Sequence, residues 1–307
     1  MSDVDVVLLI AFGGPEKPED IRPFLEIVTA GRRIPPERIE DVAHHYELIG
    51  GRSPLNELTF RQAEALRHAL KHEAITTPVY VGMRNWHPFL HDTLAEMRDA
   101  GHRHALGIIL SSFQTEASWE RYVGDVAAAR EKVGSGAPRV SYAPPWADHP
   151  RFIDAMVARA GDALGDVPAA ERGRALLIFT AHSVPLAMAE GSPYVTQVET
   201  ASRLIAGRLG HARWRLAYQS RSGGPRERWL EPDVCDVLQS LRGKGLSHVV
   251  LAPIGFVCDH VEILYDLDIA ARRVAEEAGV QLHRAVSAND HPAFIDMLAD
   301  VVKRGRA

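Results

Sequence analysis

His182 stands at the end of a strongly apolar segment, where a polar side chain can do chemistry. The segment Leu176–Ala181 is typical of a buried strand, and a second such segment, Val249–Ile254, ends shortly before Glu262. In an open parallel sheet, ligands bind outside the carboxyl ends of the strands, so both segments deliver polar side chains to one edge. An imidazole facing a carboxylate there can hold a divalent metal ion or move protons, because the ordinary imidazole pKa is about 6.5.

Glu262 has two interpretations on the residues alone. Asp259 and Glu262 have the spacing of a capping box, in which Asp259 is the N-cap and Glu262 reaches back to it. Alternatively, the carboxylate of Glu262 points toward the ligand edge of the sheet. Asp266 follows one turn later on the same helical face, so the two carboxylates could form a path for cations or protons.

The elements that position these residues are predicted from the pattern of apolar runs. Strand-like runs alternate with amphipathic helical stretches, which predicts an α/β fold: two Rossmann-like domains, each a parallel sheet flanked by helices, with a cleft between them. The predicted strands are 4–12, 78–83 and 105–111 in the first half and 140–142, 175–181, 215–219, 247–254 and 280–284 in the second. The clearest predicted helices are 19–29, 58–72, 269–278 and 292–302.

Composition excludes several classes of protein. The chain has 307 residues, of which 46% are hydrophobic and 24% charged, and this suits two soluble domains. A net charge of −5 with interspersed signs does not indicate a nucleic-acid partner. No apolar run is long enough to span a bilayer, and Asp3 and Asp5 stand where a secretory signal would carry positive charge, so we expect a cytoplasmic protein.

Six segments resemble those of ferrochelatases, which insert ferrous iron into a porphyrin. They occur in the order of that family, at roughly its spacing, and together they are specific although each alone is weak. The six segments are Ala11–Pro15, Ile49–Leu55, Asn85–Phe89, Phe179–Pro185, Gln219–Gly223 and Gly255–Asp266. The resemblance also implies that the last helix returns to the first domain. The expected domains are therefore residues 1–113 together with 290–307, and residues 114–289, which carry the metal-site residues.

The resemblance implies a role for each site residue. His182 and Glu262 are implied to be catalytic, and both are implied to be metal ligands together with Asp266. By the same resemblance, the porphyrin site is lined by Phe12, His45, Tyr46, Ser53 and Tyr122. The hydroxyl groups of Ser53 and Tyr122 are suited to bind propionate oxygens. The glycines of Gly13–Pro15 lack a nucleotide-binding pattern and are expected to let a flat ligand approach the backbone.

Several positions depart from the family. Many members carry a third acidic residue where this chain has Ala270, which predicts a weakened outer cation site. Some bacterial members have a tyrosine at the position of Phe12. The phenylalanine ring can line a pocket, but unlike tyrosine it cannot ligate a metal. At the position of His45, relatives often have arginine. Where some relatives have a propionate-binding arginine, this chain has Thr29 and Ala30, and its own arginines are shifted to Arg32 and Arg33.

The sequence thus predicts a ferrochelatase that inserts Fe²⁺ into a porphyrin with release of two protons, in haem biosynthesis. Coproporphyrin III is favoured over protoporphyrin IX, because the resemblance is strongest to actinobacterial-type enzymes. We expect Fe²⁺ as a substrate, porphyrin and haem as ligands, no permanently bound cofactor and a monomer. The two cysteines, Cys235 and Cys258, are too few for a four-thiolate iron–sulfur cluster, so none is expected.

Two alternatives have the same architecture. One is a cobalt or nickel chelatase acting on another tetrapyrrole, and against it stands the Gly50–Leu55 segment, which the shorter cobalt chelatases lack. The other is a tetrapyrrole- or solute-binding protein without catalytic activity. Turnover of Fe²⁺ with a metal-free porphyrin distinguishes an enzyme from a binding protein.

Overall fold

The computed structural model describes residues 3–31, 34–223 and 227–306. The chain forms two compact units. The first unit comprises Met1–Ser111, Ala117–Pro144 and Ile295–Ala307, and the second comprises Ser112–Glu116 and Pro145–Phe294.

Strands and helices alternate through most of the described chain. The strands are β1 (Val6–Ala11), β2 (Val79–Met83), β3 (His104–Ile109), β4 (Arg139–Tyr142), β5 (Leu176–His182), β6 (Trp214–Gln219), β7 (His248–Pro253) and β8 (Gln281–Arg284). The helices are α1 (Ile21–Thr29), α2 (Pro36–Leu48), α3 (Leu55–His72), α4 (Leu90–Asp99), α5 (Arg121–Val133), α6 (Pro150–Gly165), α7 (Ala169–Arg172), α8 (Leu186–Glu190), α9 (Tyr194–Leu209), α10 (Val234–Gln239), α11 (Val261–Leu264), α12 (Arg272–Glu277) and α13 (Pro292–Arg306). A 3₁₀ turn at Pro18–Asp20 precedes α1, and π-helical segments at Glu116–Glu120 and Asp266–Ala271 precede α5 and α12.

The first unit is built on a parallel sheet with the strand order β2-β1-β3-β4. All six residues of β1 are buried, as expected for a parallel strand that has packing on both faces. On one face, alternate residues of β1 (Val6, Leu8 and Ile10) share a core cluster with residues of α4 and α5.

The second unit is built on a parallel sheet with the strand order β6-β5-β7-β8. Ile178 of β5 and Leu251 of β7 belong to a buried cluster that also contains Ile263 of α11 and Leu267 of the following π-helical segment. The apolar side chains of this helical stretch therefore pack it against the sheet. This packing also fixes the rotation of the stretch about its axis, and with it the direction of its polar side chains. The two parallel sheets with flanking helices confirm the predicted α/β class.

The structure divides the chain differently from the predicted boundary at residue 113. The segment Ala117–Pro144 counts with the first unit, because β4 pairs in parallel with β3 and not with a strand of the second sheet. From the sequence, the strand at 140–142 is expected in the second half of the chain. A four-residue strand carries no periodicity that specifies its neighbour, so only the pairing of His104 with Arg139 and of the residues that follow reveals its sheet.

No helix among the described residues combines the length and the apolarity needed to cross a membrane.

Candidate active site

His182 is the last residue of β5, and its ring orientation is set by backbone groups. Its Nδ1 lies within hydrogen-bonding distance of the carbonyl oxygen of Ser183, and the hydroxyl of Tyr194 donates to the carbonyl oxygen of His182 at 2.8 Å. Because a carbonyl can only accept, Nδ1 carries the proton in the neutral ring, which leaves the lone pair on Nε2. This nitrogen lies 3.4 Å from Oε1 of Glu262, and the His182 side chain is 29% exposed.

Charged neighbours raise the pKa of His182. Burial is the largest influence and acts to lower that pKa, because it disfavours the charged ring. The Glu262 carboxylate, the Ser183 carbonyl and the Asp266 carboxylate together outweigh burial, so the pKa lies above its ordinary value. His182 is therefore arranged to take up a proton readily.

Gly255 allows the loop before α11 to lie against the end of β5. A Cβ atom at position 255 would come within 2.6 Å of the Cα of Ala181, so no side chain fits there without moving the backbone. Ala181 directly precedes His182. The glycine thus lets the chain that leads to Glu262 pass close to His182.

The capping-box interpretation of Glu262 is wrong. The N-cap of α11 is His260, whose Nδ1 accepts a hydrogen bond from the backbone N–H of Glu262 at 3.2 Å. Asp259 instead accepts hydrogen bonds from Arg284, Ser287 and Asn289. The carboxylate of Glu262 faces the imidazole of His182, as the alternative interpretation expected.

Two residues at the end of β6 hold the same helical stretch. The side-chain amide of Gln219 donates to the backbone carbonyl of Glu262, and the hydroxyl of Ser220 donates to the carboxylate of Asp266. Ser220 has a φ of 63°, in the left-handed region that is uncommon for a residue with a side chain. In the sequence, Gln219–Gly223 stands out only by its resemblance to the family. The pairing of Gln219 with His182 across neighbouring strands is the reason that it reaches the site.

The helical stretch that carries Glu262 and Asp266 is not one regular α-helix, because a wider π-helical turn interrupts it. The sequence analysis predicted a helix over 269–278, whereas the structure has α11 from Val261, then the π-helical segment Asp266–Ala271, then α12. The backbone N–H of Ala270 bonds to the carbonyl of Tyr265, five residues earlier, at 2.9 Å. A π-turn of this kind has no periodic signature in a short sequence, so the interruption between α11 and α12 could not be predicted.

Among the described residues, no three histidine, cysteine, aspartate or glutamate side chains are grouped so that they could hold a metal ion by themselves. His182 and Glu262 are brought into contact, and Asp266 lies one turn further on with its carboxylate on Ser220. The site therefore offers an imidazole and a carboxylate side by side.

Phe12 and Tyr46 of the first unit converge on Phe24. Their rings meet that of Phe24 edge to face, with ring centroids 6.3 Å and 6.0 Å away respectively. Phe12 is 38% exposed and Tyr46 is buried. Phe12 is therefore an apolar ring at the surface of the first unit, supported from below by aromatic contacts.

Ser53 is buried against Gly14. A Cβ atom at Gly14 would come within 2.8 Å of the Cβ of Ser53, so this glycine serves close packing within the protein. The approach of a flat ligand to the Gly13–Pro15 backbone stays a prediction, and the contact with Ser53 is a second reason for a glycine at position 14. The Ser53 hydroxyl accepts a hydrogen bond from the backbone N–H of Leu55 at 3.3 Å.

Arg84 is a residue that the sequence analysis missed. Its guanidinium lies 4.3 Å from the centroid of the Tyr122 ring and 5.8 Å from that of Phe12, and its Nε donates to the carboxylate of Asp125. Tyr122 itself is buried in the core of the first unit. The only signal was position, since Arg84 directly precedes the recognised segment that starts at Asn85.

His45 is held in its neutral form. Burial, and then the nearby charge of Arg38, lower its pKa to about 4. At neutral pH this half-buried imidazole can exchange hydrogen bonds with a carboxylate but cannot replace the charge of an arginine. Arg32 and Arg33, the shifted arginines of the sequence analysis, lie outside the described residues.

Comparisons with known proteins identify the family to which this chain is similar. The model of the ferrochelatase family matches residues 5–306. A protein of Mycolicibacterium paratuberculosis named coproporphyrin III ferrochelatase is 46% identical over 98% of this chain and 88% of its own length. A protein of Rhodopirellula baltica named ferrochelatase is 41% identical over 97% of this chain and 85% of its own length.

Two solved structures show the same fold at low sequence identity. SirB from Bacillus subtilis, solved with Fe³⁺, has a TM-score of 0.60 and 12% identity and is covered over 96% of its length. DR2241 from Deinococcus radiodurans, a multi-domain protein similar to chelatases, also has a TM-score of 0.60, with 16% identity. The alignments include 99% of this chain, which spans 56% of the Deinococcus protein.

Proposed function

Because the chain belongs to the ferrochelatase family, we propose that it inserts Fe²⁺ into coproporphyrin III. The general activity is that of a lyase that converts porphyrin and ferrous iron into haem, within haem biosynthesis. The choice of coproporphyrin III rests on similar relatives that carry this substrate in their names. Insertion replaces two pyrrole N–H protons by one iron ion, so the enzyme must accept two protons as well as deliver the metal.

The observation that carries the proposed mechanism is the contact between Nε2 of His182 and Oε1 of Glu262, at 3.4 Å. In the neutral ring, Nε2 presents a lone pair that can hold Fe²⁺ or remove a pyrrole proton. The carboxylate of Glu262 stabilises the imidazolium that forms, which is the reason that it raises the pKa of His182. Glu262 can also accept the second proton directly.

We assign no resident metal to this site. His182 and Glu262 provide two ligands to the incoming Fe²⁺, and the porphyrin nitrogens complete its coordination as the ion leaves the protein. Asp266, one turn further along the helix and bonded to Ser220, is placed to relay cations or protons toward Glu262. Two ligands suit a metal that must be released, because a complete ligand set would retain it.

The first unit supplies the proposed porphyrin contacts. Phe12 and Tyr46 are assigned to the aromatic wall, and Ser53 and Tyr122 to hydroxyl contacts with propionates. His45 is assigned to hydrogen bonding, since its lowered pKa keeps the ring neutral in the protein without porphyrin. We further infer that the chain has no iron–sulfur cluster, because it has only two cysteines, and that it acts as a monomer.

The test compares two porphyrins under anaerobic conditions. We expect Fe²⁺ insertion, followed by absorbance, to proceed with a higher kcat/KM for coproporphyrin III than for protoporphyrin IX. Preference for protoporphyrin IX would reassign the substrate, and binding of both porphyrins without turnover would leave only a binding protein.

Two variants test the assigned pair. His182→Ala and Glu262→Gln should each lower kcat by about 10²-fold or more, since each removes a proton acceptor. Glu262→Gln should leave the melting temperature almost unchanged, because His260 caps α11. Activity within tenfold of the wild type in both variants would contradict the assignment.

A further inference from the structure

Arg284, the last residue of β8, forms hydrogen bonds with two aspartates that lie on either side of Glu262. Its Nε and Nη2 donate to the two oxygens of Asp268, both at 2.7 Å, and its Nη1 donates to Oδ1 of Asp259 at 2.8 Å. The Arg284 side chain is 11% exposed, and those of Asp259 and Asp268 are 12% and 25% exposed. This cluster of Arg284, Asp259 and Asp268 is the guanidinium clamp.

The clamp closes the chain segment that contains Glu262 into a loop. Asp259 lies three residues before Glu262, and Asp268 lies six residues after it. A planar guanidinium that binds one carboxylate through two parallel hydrogen bonds fixes orientation as well as distance. One side chain therefore sets the spacing between the start of this segment and its end.

Asp259 is also held by residues that follow Arg284 in the chain. Its Oδ1 also accepts from the N–H and the hydroxyl of Ser287, at 3.2 and 3.0 Å, and its Oδ2 accepts from the amide of Asn289 at 3.0 Å. The backbone N–H of Asp259 donates to Oδ1 of Asn289 at 3.0 Å. The first end of the loop is thus fixed to the chain that follows β8.

Asp268 lies inside the π-helical segment Asp266–Ala271. A π-turn holds one residue more than an α-helical turn, so a helix can gain or lose it by a shift of one residue. The bidentate bond from Arg284 fixes Asp268 in one such register. A shift there would displace Asp266 and Glu262, which lie two and six residues earlier.

We infer that Arg284 is a positioning residue, which holds Glu262 opposite His182 by fixing Asp259 and Asp268. This inference rests on the proposed role of Glu262 as a proton acceptor and metal ligand. Arg284 acts through the backbone of the clamped segment. Its loss should therefore affect the insertion step and leave porphyrin binding in place.

The test uses two mild variants of the clamp. Arg284→Lys keeps the charge but loses the planar pair of hydrogen bonds, and Asp268→Asn loosens the π-helical end while Arg284 still holds Asp259. We expect kcat for Fe²⁺ insertion to fall by about 10- to 10²-fold in each, the size of effect that a misplaced catalytic group produces. The KM for porphyrin should stay within about twofold of the wild type, and the order of kcat values should be wild type, then Arg284→Lys, then Arg284→Met.

Arg172 offers a matched control in the same unit. It donates three hydrogen bonds to backbone carbonyls near the end of α6, those of Leu164, Gly165 and Val167, at 2.8–3.1 Å. Arg172→Met should lower the melting temperature and leave kcat and KM unchanged in the folded protein. If Arg284→Met does not fold, the double variant Arg284→Met/Asp268→Asn removes the positive and the negative charge together and takes its place.

The outcomes separate this inference from the proposed function. If Arg284→Lys and Asp268→Asn keep the wild-type kcat while Glu262→Gln loses activity, Arg284 is structural only and the inference is wrong. If Glu262→Gln also keeps its activity, the assignment of Glu262 itself fails and the inference falls with it. A loss of kcat in the clamp variants with unchanged porphyrin KM, absent from Arg172→Met, supports the inference.

Discussion

At the scale of single residues, the chemistry depends on which ring nitrogen of His182 is engaged in a hydrogen bond to the backbone. Ser183 engages Nδ1, so Nε2 is the atom that meets Glu262 and any ligand. Burial alone would lower the pKa of His182, and the neighbouring carboxylates raise it instead. The Ser183 carbonyl thus sets which nitrogen carries the lone pair, and the carboxylates raise the affinity of that nitrogen for protons.

The raised pKa predicts the acidic limb of the pH profile. His182 must be unprotonated to accept a proton or a metal ion, so kcat/KM should fall as the pH drops through a pKa above about 6.5. In Glu262→Gln the carboxylate that raises this pKa is gone and burial dominates, so the limb of the residual activity should move to lower pH. We would measure kcat/KM between about pH 5 and 9 and titrate the His182 ring by NMR, with His182→Ala for assignment. A limb at the same pH in both proteins would mean that another group controls it.

At this scale the sequence predicts where the site residues lie along the chain better than it predicts their hydrogen-bond partners. His182 and Glu262 could be placed because strand ends and a recognised segment mark them. The capping of α11 by His260 could not be predicted, because Asp259 has the better capping side chain and is drawn away by Arg284, 25 residues later. Long-range bonds of this kind decide which local pattern prevails.

At the scale of elements, the helical stretch from α11 to α12 is the feature that organises the site. Its apolar residues, among them Ile263 and Leu267, lie in the core on the second sheet, while Glu262 and Asp266 are held by residues at the end of β6. All eight strands lie close to the ranges expected from the sequence, and the inner strands β1, β3, β5 and β7 have the long apolar runs of parallel strands with packing on both faces. The π-helical segment and the sheet to which β4 belongs were not predictable, because both depend on tertiary hydrogen bonds.

Ala270 gives a prediction for this helical stretch. Hard divalent cations need several oxygen ligands, and Ala270 removes the carboxylate that would follow Glu262 and Asp266 along the helix. We expect Mg²⁺ to bind only weakly near Asp266, and Ala270→Glu to strengthen that binding and change the dependence of activity on added Mg²⁺. Titrations of activity with Mg²⁺ would compare the two proteins, with Ala270→Gln as the uncharged control. Identical curves for all three would argue against a cation path along this helix.

At the scale of the whole molecule, the first unit is assembled from three separate stretches of chain. Its last stretch, Ile295–Ala307, contains most of α13, and Gly305 packs closely on β3, since a Cβ there would come within 2.6 Å of the end of the Leu106 side chain. Leu298, Val301 and Val302 of α13 are buried. The central sheet of the first unit therefore depends on residues that are almost 200 positions away from β3 in sequence.

Removal of α13 should weaken the first unit more than the second. Truncation after Asp290 exposes apolar surface at β3, so hydrogen exchange of the amides in β1 and β3 should accelerate by at least about tenfold. Amides in β5 and β7 should change less, and Gly305→Leu in the full chain should reproduce the effect more weakly. Equal acceleration in both sheets would show that the two units unfold together.

The late position of α13 also has a consequence for biosynthesis. A ribosome delivers the chain from its N-terminus, and domains commonly fold in that order as they emerge. Here β1 to β4 leave the ribosome first, yet the helix that covers β3 is translated after every strand of the second sheet. Part of the apolar surface of the nascent first unit therefore stays exposed while the second unit is translated. We expect chaperone binding or aggregation of this chain during that interval.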